Sequence, residues 1–330
     1  MVFGADAPAR LAAQSGPAEA RADALRAEGL TPAVRDVSFT VAPGELFVIM
    51  GLSGSGKSTL VRCLSRLVEP VSGSVWIDGE DIIAARDRRL IELRRRKMGM
   101  VFQHFGLFPH MTVLENVMFP LRVQGMALAE RRARAEEVVA LVGLEGREGD
   151  HPRALSGGQR QRVGIARSLA VNPEIWFLDE PFSALDPLIR RQLQDEFLRL
   201  QASLKKSIVF ITHDIAEALR LADRIAIMRD GAVVQIGTPA EIVLSPADDY
   251  VAAFTRDVPR GQMMTVAAMM DPPAAEAPAG RTLTSSMTLD AALTACCAAT
   301  EPVAVTDEAG EVVGQVTPER LARALSVGER

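Results

Sequence analysis

Short continuous apolar runs recur along the central part of the chain and alternate with longer stretches that have helical spacing. Such runs, rich in β-branched and aromatic residues and bounded by Gly, Asp or Pro, are typical of buried strands. The predicted strands are Leu46–Met50, Met98–Phe102, Glu174–Leu178, Ser207–Thr212 and Arg224–Met228. Because strands that alternate with helices favour a largely parallel sheet, the pattern predicts an α/β domain.

Composition changes on both sides of this domain, which we place at residues 30–256. Residues 1–29 are rich in Ala, Arg and Glu and predict a helical extension. Several prolines among alanines mark residues 257–280 as a predicted linker. Residues 281–330 then predict a small unit that consists of a helix, a hairpin and a closing helix.

The charge balance is mildly acidic, because 37 Lys and Arg against 42 Asp and Glu give a formal net charge of −5. This balance lacks the basic excess of a general nucleic-acid binder. The 3 cysteines show neither a disulfide framework nor metal-ligand spacing. No apolar run approaches the roughly 18 residues that span a bilayer, and the first residues do not resemble a secretory signal. The sequence therefore predicts an intracellular, soluble and mostly globular protein.

A phosphate-binding loop is predicted at Gly51–Ser58, which fits G-x-x-x-x-G-K-[ST]. It follows the apolar run LFVIM and opens the helical pattern TLVRCLSRL, the strand–loop–helix context that this motif requires. Its glycines let backbone N–H groups surround a phosphate, and the helix N-terminus adds partial positive charge. Lys57 supplies a point charge to the β- and γ-phosphates, and Ser58 can bind Mg²⁺.

Two carboxylates end one of the predicted strands, since Asp179 and Glu180 follow the run Glu174–Leu178. An acidic residue at the end of a strand beside a phosphate loop can hold Mg²⁺, directly or through water. The second carboxylate can activate a water molecule as a general base. The pair therefore adds hydrolysis to the predicted nucleotide binding.

A second predicted anion site lies at the start of another helix. The segment Leu155–Gln159 reads LSGGQ and precedes a helix predicted over Arg160–Ala170. Ser156 is a good N-cap residue, and the two glycines leave the helix N-terminus open to an anion. One chain thus carries two predicted anion-binding helix starts.

The order of these motifs resembles the ATP-binding cassette (ABC) family across about Thr31–Tyr250. The elements that carry the resemblance are Walker A at Gly51–Ser58, Gln103 as the Q-loop residue, LSGGQ at Leu155–Gln159, Walker B at Ile175–Asp179, the D-loop at Ser183–Asp186 and the switch histidine His213. Longer stretches, among them IMGLSGSGKSTLVR and IVFITHDIAEALRLADRIAIMRDG, look like the ATPase subunit of glycine betaine/proline importers.

This resemblance implies a P-loop NTPase fold with a RecA-like core, an antiparallel β arm and a helical subdomain at about residues 104–170. The C-terminal unit looks like a single CBS repeat. ATP and Mg²⁺ are the implied ligands. The family usually stacks adenine on an aromatic side chain upstream of Walker A, but no aromatic residue occurs between Phe3 and Phe39. An aliphatic platform formed by Leu30 or Val34 is expected instead.

Roles follow for the matching positions. Lys57, Glu180 and His213 are the predicted catalytic residues, and Ser58, Gln103 and Asp179 are the predicted metal-site residues. The predicted ATP contacts are Gly51, Leu52, Ser53, Gly54, Ser55, Gly56, Lys57, Ser58, Thr59, Gln103 and Asp179. The contacts predicted to reach ATP from a second copy are Ser156, Gly157, Gly158, Gln159 and Asp186.

The implied function is the ATP-hydrolysing subunit of a binding-protein-dependent importer for glycine betaine, proline or a related quaternary amine. The implied partners are a second copy of the chain, a membrane permease bound near residues 104–126, and a periplasmic or lipid-anchored solute-binding protein. The chain would then be peripheral on the cytoplasmic face of the inner membrane, with no nucleic-acid partner.

Other hypotheses stay open at this point. An importer ATPase for choline or histidine is one of them, and a soluble ABC ATPase that acts on nucleic acid or ribosomes is another. A regulatory CBS protein with an inactive cassette is disfavoured because Lys57, Asp179, Glu180 and His213 are all present.

Overall fold

The computed structural model describes residues 1–3, 6–14, 16–103, 106–183, 185–256, 258, 261, 264–273, 282–296, 301–307 and 309–326. The chain divides into two compact units, of which the first comprises Met1–His213 with Met228–Val233 and the second Asp214–Ile227 with Val234–Arg330. Within the described residues, no helix is long and apolar enough to span a membrane.

The first unit is built on parallel strands. These strands are β3 (Leu46–Met50), β6 (Met98–Val101), β7 (Ile175–Asp179) and β8 (Ser207–Thr212), in the spatial order β3-β8-β7-β6. The predicted strands at these places are confirmed to within one residue at each end. Nearly every strand residue is buried, as expected for parallel strands that are covered on both faces.

Parallel order brings the carboxyl ends of these strands to one edge of the sheet. The P-loop follows β3, Gln103 follows β6, Glu180 follows β7 and His213 follows β8. Behind this edge an aromatic cluster forms part of the core, with ring centroids 5.7 Å apart for Phe182 and Phe210. The fold therefore gathers the predicted catalytic positions on a rigid, buried scaffold.

The first unit also contains helices, some of which pack on this sheet. Those of the first unit are α1 (Ala7–Ala13), α2 (Ala18–Ala27), α3 (Lys57–Leu64), α4 (Asp87–Arg96), α5 (Val113–Val123), α6 (Leu128–Leu141), α7 (Gly157–Ala170) and α8 (Pro187–Leu204). Helices α5, α6 and α7 pack on one another inside the region predicted as the helical subdomain. The predicted boundaries of that subdomain and of the domains stay predictions.

Two short antiparallel ladders complete the first unit. Strand β1 (Val2–Phe3) pairs with β2 (Thr31–Pro32), so that α1 and α2 form an insertion between two paired strands. Strand β4 (Trp76–Ile77) pairs with β5 (Glu80–Asp81) across the Asp78-Gly79 turn. Both turn residues have the positive φ that such a two-residue hairpin needs.

The remaining elements begin with α9 (Ile215–Leu221), β9 (Arg224–Arg229), β10 (Ala232–Gly237), α10 (Pro239–Leu244) and α11 (Asp249–Thr255). Strands β9 and β10 are joined by the Asp230-Gly231 turn, and both strands have residues in each unit. Thr238 forms a capping box at the start of α10, because its hydroxyl accepts from Glu241 N and the Glu241 carboxylate accepts from Thr238 N.

The C-terminal part of the second unit is a small sheet of order β11-β12-β13 with two helices. Its elements are β11 (Thr282–Thr284), α12 (Leu289–Cys296), β12 (Val303–Thr306), β13 (Val312–Val316) and α13 (Pro318–Ser326). Residues 264–273 of the predicted linker hydrogen bond to this sheet region, for example from Leu289 N to Met264 O at 3.0 Å. Much of the rest of that linker lies outside the described residues, and the likeness to a CBS repeat stays a prediction.

Candidate active site

The P-loop is shaped by two glycines that no other residue could replace without strain. Gly51 has φ +155°, and a Cβ placed on it would lie 2.3 Å from Met228 O. Gly56, the N-cap of α3, has φ +99°, and its Cβ would lie 2.2 Å from Ala33 O. Both neighbours are backbone atoms that cannot move aside. The close approach keeps the loop curled over the N-terminus of α3, where backbone N–H groups and the helix dipole attract an anion.

The loop also holds a buried hydroxyl that suits a phosphate. Ser55 Oγ is buried and has no hydrogen-bond partner among the described residues. A buried polar atom without a partner is unfavourable, so an oxygen acceptor in the loop would satisfy it. Leu52, Ser53 and Gly54 are exposed, and Thr59 lies half-buried in the first turn of α3. The residues present therefore fit the triphosphate that the motif predicts.

Lys57 folds back over the loop. Its Nζ donates to Gly51 O at 2.7 Å and to Leu52 O at 3.0 Å. Burial lowers the pKa of Lys57, while the charges of Glu180 and Asp179 act in the opposite direction. The ammonium is thus fixed at the loop by two carbonyls, without a direct carboxylate partner in these contacts.

Ser58 and Asp179 form an oxygen pair across the sheet edge. Ser58 Oγ donates to Asp179 Oδ1 at 2.8 Å, which joins the first turn of α3 to the end of β7. Burial raises the pKa of Asp179, and the Ser58 hydrogen bond and the Arg62 charge oppose this shift. Oxygen donors of this kind are the ligands that Mg²⁺ prefers. The donor set therefore fits the predicted metal site.

Glu180 contacts one other predicted catalytic residue, His213, and the predicted metal-site residue Gln103. His213 Nδ1 lies 3.1 Å from Glu180 Oε2, and Gln103 Nε2 donates to the same oxygen at 3.3 Å. The Glu180 side chain is mostly buried, whereas His213 is more than half exposed. One carboxylate oxygen thus contacts both His213 and Gln103. These two residues follow β8 and β6, the strands on either side of β7.

Ser183, predicted only as the first residue of the D-loop, also contacts Glu180. Its hydroxyl donates to Glu180 O at 3.0 Å and fixes the turn that follows β7. Asp186, predicted to reach ATP from a second copy, accepts from Ile189 N at 3.1 Å and caps α8. A Ser side chain that bonds backbone three residues back is a common turn feature, which is why its sequence signal is weak.

The LSGGQ segment is placed as predicted at a helix start, but away from the P-loop contacts. Ser156 Oγ accepts from Gln159 N at 3.2 Å, and Ser156 N donates to Gln159 Oε1 at 2.9 Å, which completes a capping box on α7. A Cβ on Gly158 would lie 2.9 Å from Ile189 Cγ2, so this glycine allows α7 and α8 to pack closely. Among the described residues, no hydrogen bond or ion pair joins Ser156–Gln159 to the P-loop.

The aliphatic platform predicted for adenine is wrong. Leu30 is 5% exposed and packs into a cluster with Val2, Ala7 and Leu25. Val34 is 8% exposed. Leu30 faces the interior because it packs against residues of the α1–α2 insertion, which local sequence spacing does not reveal.

The sequence of residues 34–183 matches the family model described as "ABC transporter". The trimethylamine N-oxide transport system ATP-binding protein TmoW of Pelagibacter ubique is 51% identical over 329 residues, covering 100% of this chain and 96% of that protein. TmoW of Ruegeria pomeroyi is 65% identical over 242 residues, covering 73% of this chain and 71% of that protein. ATP-binding proteins of glycine betaine transport are among the other relatives.

A solved structure agrees with this family. A dimeric ATP-binding cassette in a post-hydrolysis state, bound to ADP and Pi, is 40% identical, with a TM-score of 0.59. The alignment covers 64% of this chain and 92% of that chain. These similarities confirm the predicted α/β cassette fold and the resemblance drawn from the motif order. The chain belongs to the ATP-binding cassette family and is an ATPase subunit of a transport system.

Proposed function

We propose that this chain hydrolyses ATP to energise the import of a small methylated amine, with Glu180 as the general base. The observation that carries the catalytic assignment is the convergence of His213 and Gln103 on Glu180 Oε2 beside the P-loop. A carboxylate held in that place can take a proton from a water molecule that attacks the γ-phosphate of bound ATP. The reaction consumes one water and yields ADP and phosphate.

Each neighbouring residue has a distinct part in this proposal. Lys57 neutralises phosphate charge, since its ammonium lies over the loop carbonyls. His213 orients Glu180 and the water through the contact at Oε2. Mg²⁺, when bound beside Ser58 and Asp179, supplies charge neutralisation for the phosphate oxygens. Gln103, which contacts Glu180, is the third predicted metal-site residue.

A second copy of the chain completes the site in this proposal. The α7 N-terminus of one copy would face the P-loop of the other, because its free backbone N–H groups favour an anion and make no P-loop contact within one chain. The 40% identical cassette is dimeric and is bound to ADP and Pi, which supports this arrangement. Twofold symmetry would then produce two equivalent sites.

A groove in the predicted helical subdomain suits the permease. It has a volume of about 340 Å³ and is lined by His110, Met111, Glu115, Met118, Phe119, Arg122 and Arg131. Adaptable methionines beside charged groups suit a partner segment of mixed polarity. Docking there would hold the chain on the cytoplasmic side of the membrane, and the solute-binding protein would reach it only through the permease.

The solute is proposed from the relatives. Both TmoW proteins are named for trimethylamine N-oxide transport, and other relatives for glycine betaine transport. These two solutes share a nitrogen that carries three methyl groups. The TmoW proteins match at 51% identity over 329 residues and at 65% over 242 residues, against 53% over 252 residues for a glycine betaine/carnitine relative, so we place trimethylamine N-oxide before glycine betaine.

Labelled-solute uptake tests this proposal. Cells that lack the gene are complemented with wild type, with Lys57→Ala, or with Lys97→Ala as a matched surface-lysine control. We expect wild type and Lys97→Ala to restore uptake of trimethylamine N-oxide or glycine betaine, and Lys57→Ala to fail. Equal uptake with and without the gene for both solutes would remove the methylated-amine assignment.

A further inference from the structure

Helix α7 has the LSGGQ glycines at its start and Arg167 in its last turn. A continuous helix of 14 residues is about 21 Å long and moves largely as one rod. A displacement of the N-terminus of α7 therefore also displaces whatever Arg167 holds. The contacts of Arg167 decide which part of the molecule that is.

Arg167 holds the segment that follows the Q-loop glutamine. Its Nη1 donates to Gly106 O at 2.5 Å, and its guanidinium carbon lies 6.0 Å from the centroid of the Phe108 ring. Gly106 has φ +57°, and a Cβ on it would lie 3.4 Å from Arg167 Nη2, so this glycine admits the guanidinium closely. Burial lowers the pKa of Arg167, and a partly desolvated cation makes strong hydrogen bonds.

The same segment is fastened to a second helix through Asn116, which is fully buried in α5. Its Oδ1 accepts from Phe108 N at 2.8 Å, and its Nδ2 donates to Phe108 O at 3.1 Å. Helix α5 packs directly on α7. Gly106 and Phe108 are therefore expected to follow α7 when that helix moves.

The Q-loop glutamine lies only three positions before Gly106. A chain of three residues spans at most about 11 Å, so Gln103 cannot stay in place when Gly106 moves far. Gln103 Nε2 donates to Glu180 Oε2 at 3.3 Å. A continuous set of contacts thus joins the start of α7 to the proposed general base, through Arg167 and the segment after Gln103.

In the proposed dimer, the two ends of this set of contacts serve different ATP molecules. The N-terminus of α7 faces ATP held by the other copy, whereas Glu180 acts on ATP held by the P-loop of its own chain. We propose that Arg167 is a positioning residue that couples the two ATP sites of the dimer, because it links α7 to the segment that places Gln103 on Glu180. This inference rests on the proposed function, and it adds cooperative hydrolysis to it.

The Hill coefficient of ATP hydrolysis measures this coupling. Purified wild type, Arg167→Met and Arg134→Met are compared over a range of ATP concentrations. Arg134 is a matched control, because its Nε donates from α6 to Ala170 O at the other side of the same helix end. We expect a Hill coefficient close to two, the number of sites, for wild type and Arg134→Met, and about one for Arg167→Met.

ATP-dependent dimerisation separates coupling from assembly. Each arginine variant is combined with Glu180→Gln, so that bound ATP is not hydrolysed, and the dimer is measured by size-exclusion chromatography. We expect Arg167→Met to dimerise as the arginine-containing protein does. Loss of the dimer together with the loss of cooperativity would overturn the proposal, because Arg167 would then support assembly alone.

Gln103→Leu tests the other end of the contacts and does not depend on the folding of Arg167→Met, since Gln103 is exposed. We expect it to bring the Hill coefficient to about one, and the double variant with Arg167→Met to show no further change, because both residues act on one route. Cooperativity retained in either single variant, or absent from wild type, would overturn the proposal. Wild type that does not hydrolyse ATP would overturn the proposed function itself.

Discussion

Glu180 and His213 contact each other at the ends of two neighbouring parallel strands, with 3.1 Å between Glu180 Oε2 and His213 Nδ1. The backbone enforces this contact, since Glu180 N donates to Ile211 O and Glu180 adopts φ +46°. A residue other than glycine in the left-handed region costs roughly 1–3 kcal/mol and is kept only where its surroundings determine it. The fold therefore aims the carboxylate instead of leaving it free to rotate into solvent.

His213→Ala is expected to lower the ATP hydrolysis rate by about a hundredfold, because Glu180 loses the group that orients it. ATP affinity should change little, since Lys57 and the loop amides still hold the phosphates. Steady-state hydrolysis and calorimetric ATP binding on the same preparation measure both effects. His151→Ala is the control. A rate within about twofold of wild type would contradict the role given to His213.

Asp179→Asn is expected to raise stability near neutral pH. Burial raises the pKa of Asp179 in the folded state, so the folded protein binds this proton more tightly than the unfolded chain does. Stability then falls as pH rises from the ordinary aspartate pKa through the raised one. Asn cannot ionise and still accepts from Ser58. Thermal unfolding should show a higher Tm for Asp179→Asn at neutral pH and a shrinking difference as pH falls.

Asp87 is exposed and serves as the control. Asp87→Asn should not raise the Tm at neutral pH. A Tm for Asp179→Asn equal to or below that of wild type throughout this pH range would mean that the buried carboxylate is compensated within the fold.

Gly56→Ala and Gly54→Ala form a matched pair in the P-loop. Both positions have positive φ, but a Cβ at Gly54 meets nothing within 4 Å, whereas one at Gly56 meets Ala33 O. Gly54→Ala should cost about 1–2 kcal/mol of unfolding free energy, the ordinary penalty of the left-handed region. Gly56→Ala should cost clearly more, as measured by denaturant unfolding. Similar losses of unfolding free energy for the two variants would show that the backbone at Ala33 moves to accommodate the added Cβ.

The solubility of a C-terminally truncated protein should depend on where the chain is cut. Met264, Val266 and Met269 are each 3% exposed or less, and their segment hydrogen bonds to residues 285–289. Deletion of residues 282–330 removes the residues that pack against these apolar side chains and exposes them. We therefore expect this truncated protein to aggregate. Deletion of residues 264–330 removes the segment as well and should stay soluble with ATP hydrolysis retained. Size-exclusion chromatography with a hydrolysis assay distinguishes the two, and the opposite order of solubility would contradict this boundary.

Local motifs made the central strands and the P-loop predictable, because each carries its information within about ten residues. The same holds for Ser156 as the N-cap residue of α7. Strand β1 was not predictable, because a strand of two residues has no period and its partner lies beyond two helices. The burial of Leu30 and the docking of residues 264–273 depend on such non-local packing as well.

Glu180→Gln tests the account most directly. Gln has nearly the same shape as Glu but cannot accept the proton of the attacking water. Purified wild type, Glu180→Gln and the exposed control Glu174→Gln are compared for ATP binding and for phosphate release. We expect Glu180→Gln to bind ATP as wild type does and to release phosphate about 10²–10⁴ times more slowly, while Glu174→Gln keeps the wild-type rate. Phosphate release by Glu180→Gln at the wild-type rate would contradict the assignment of Glu180 as the general base.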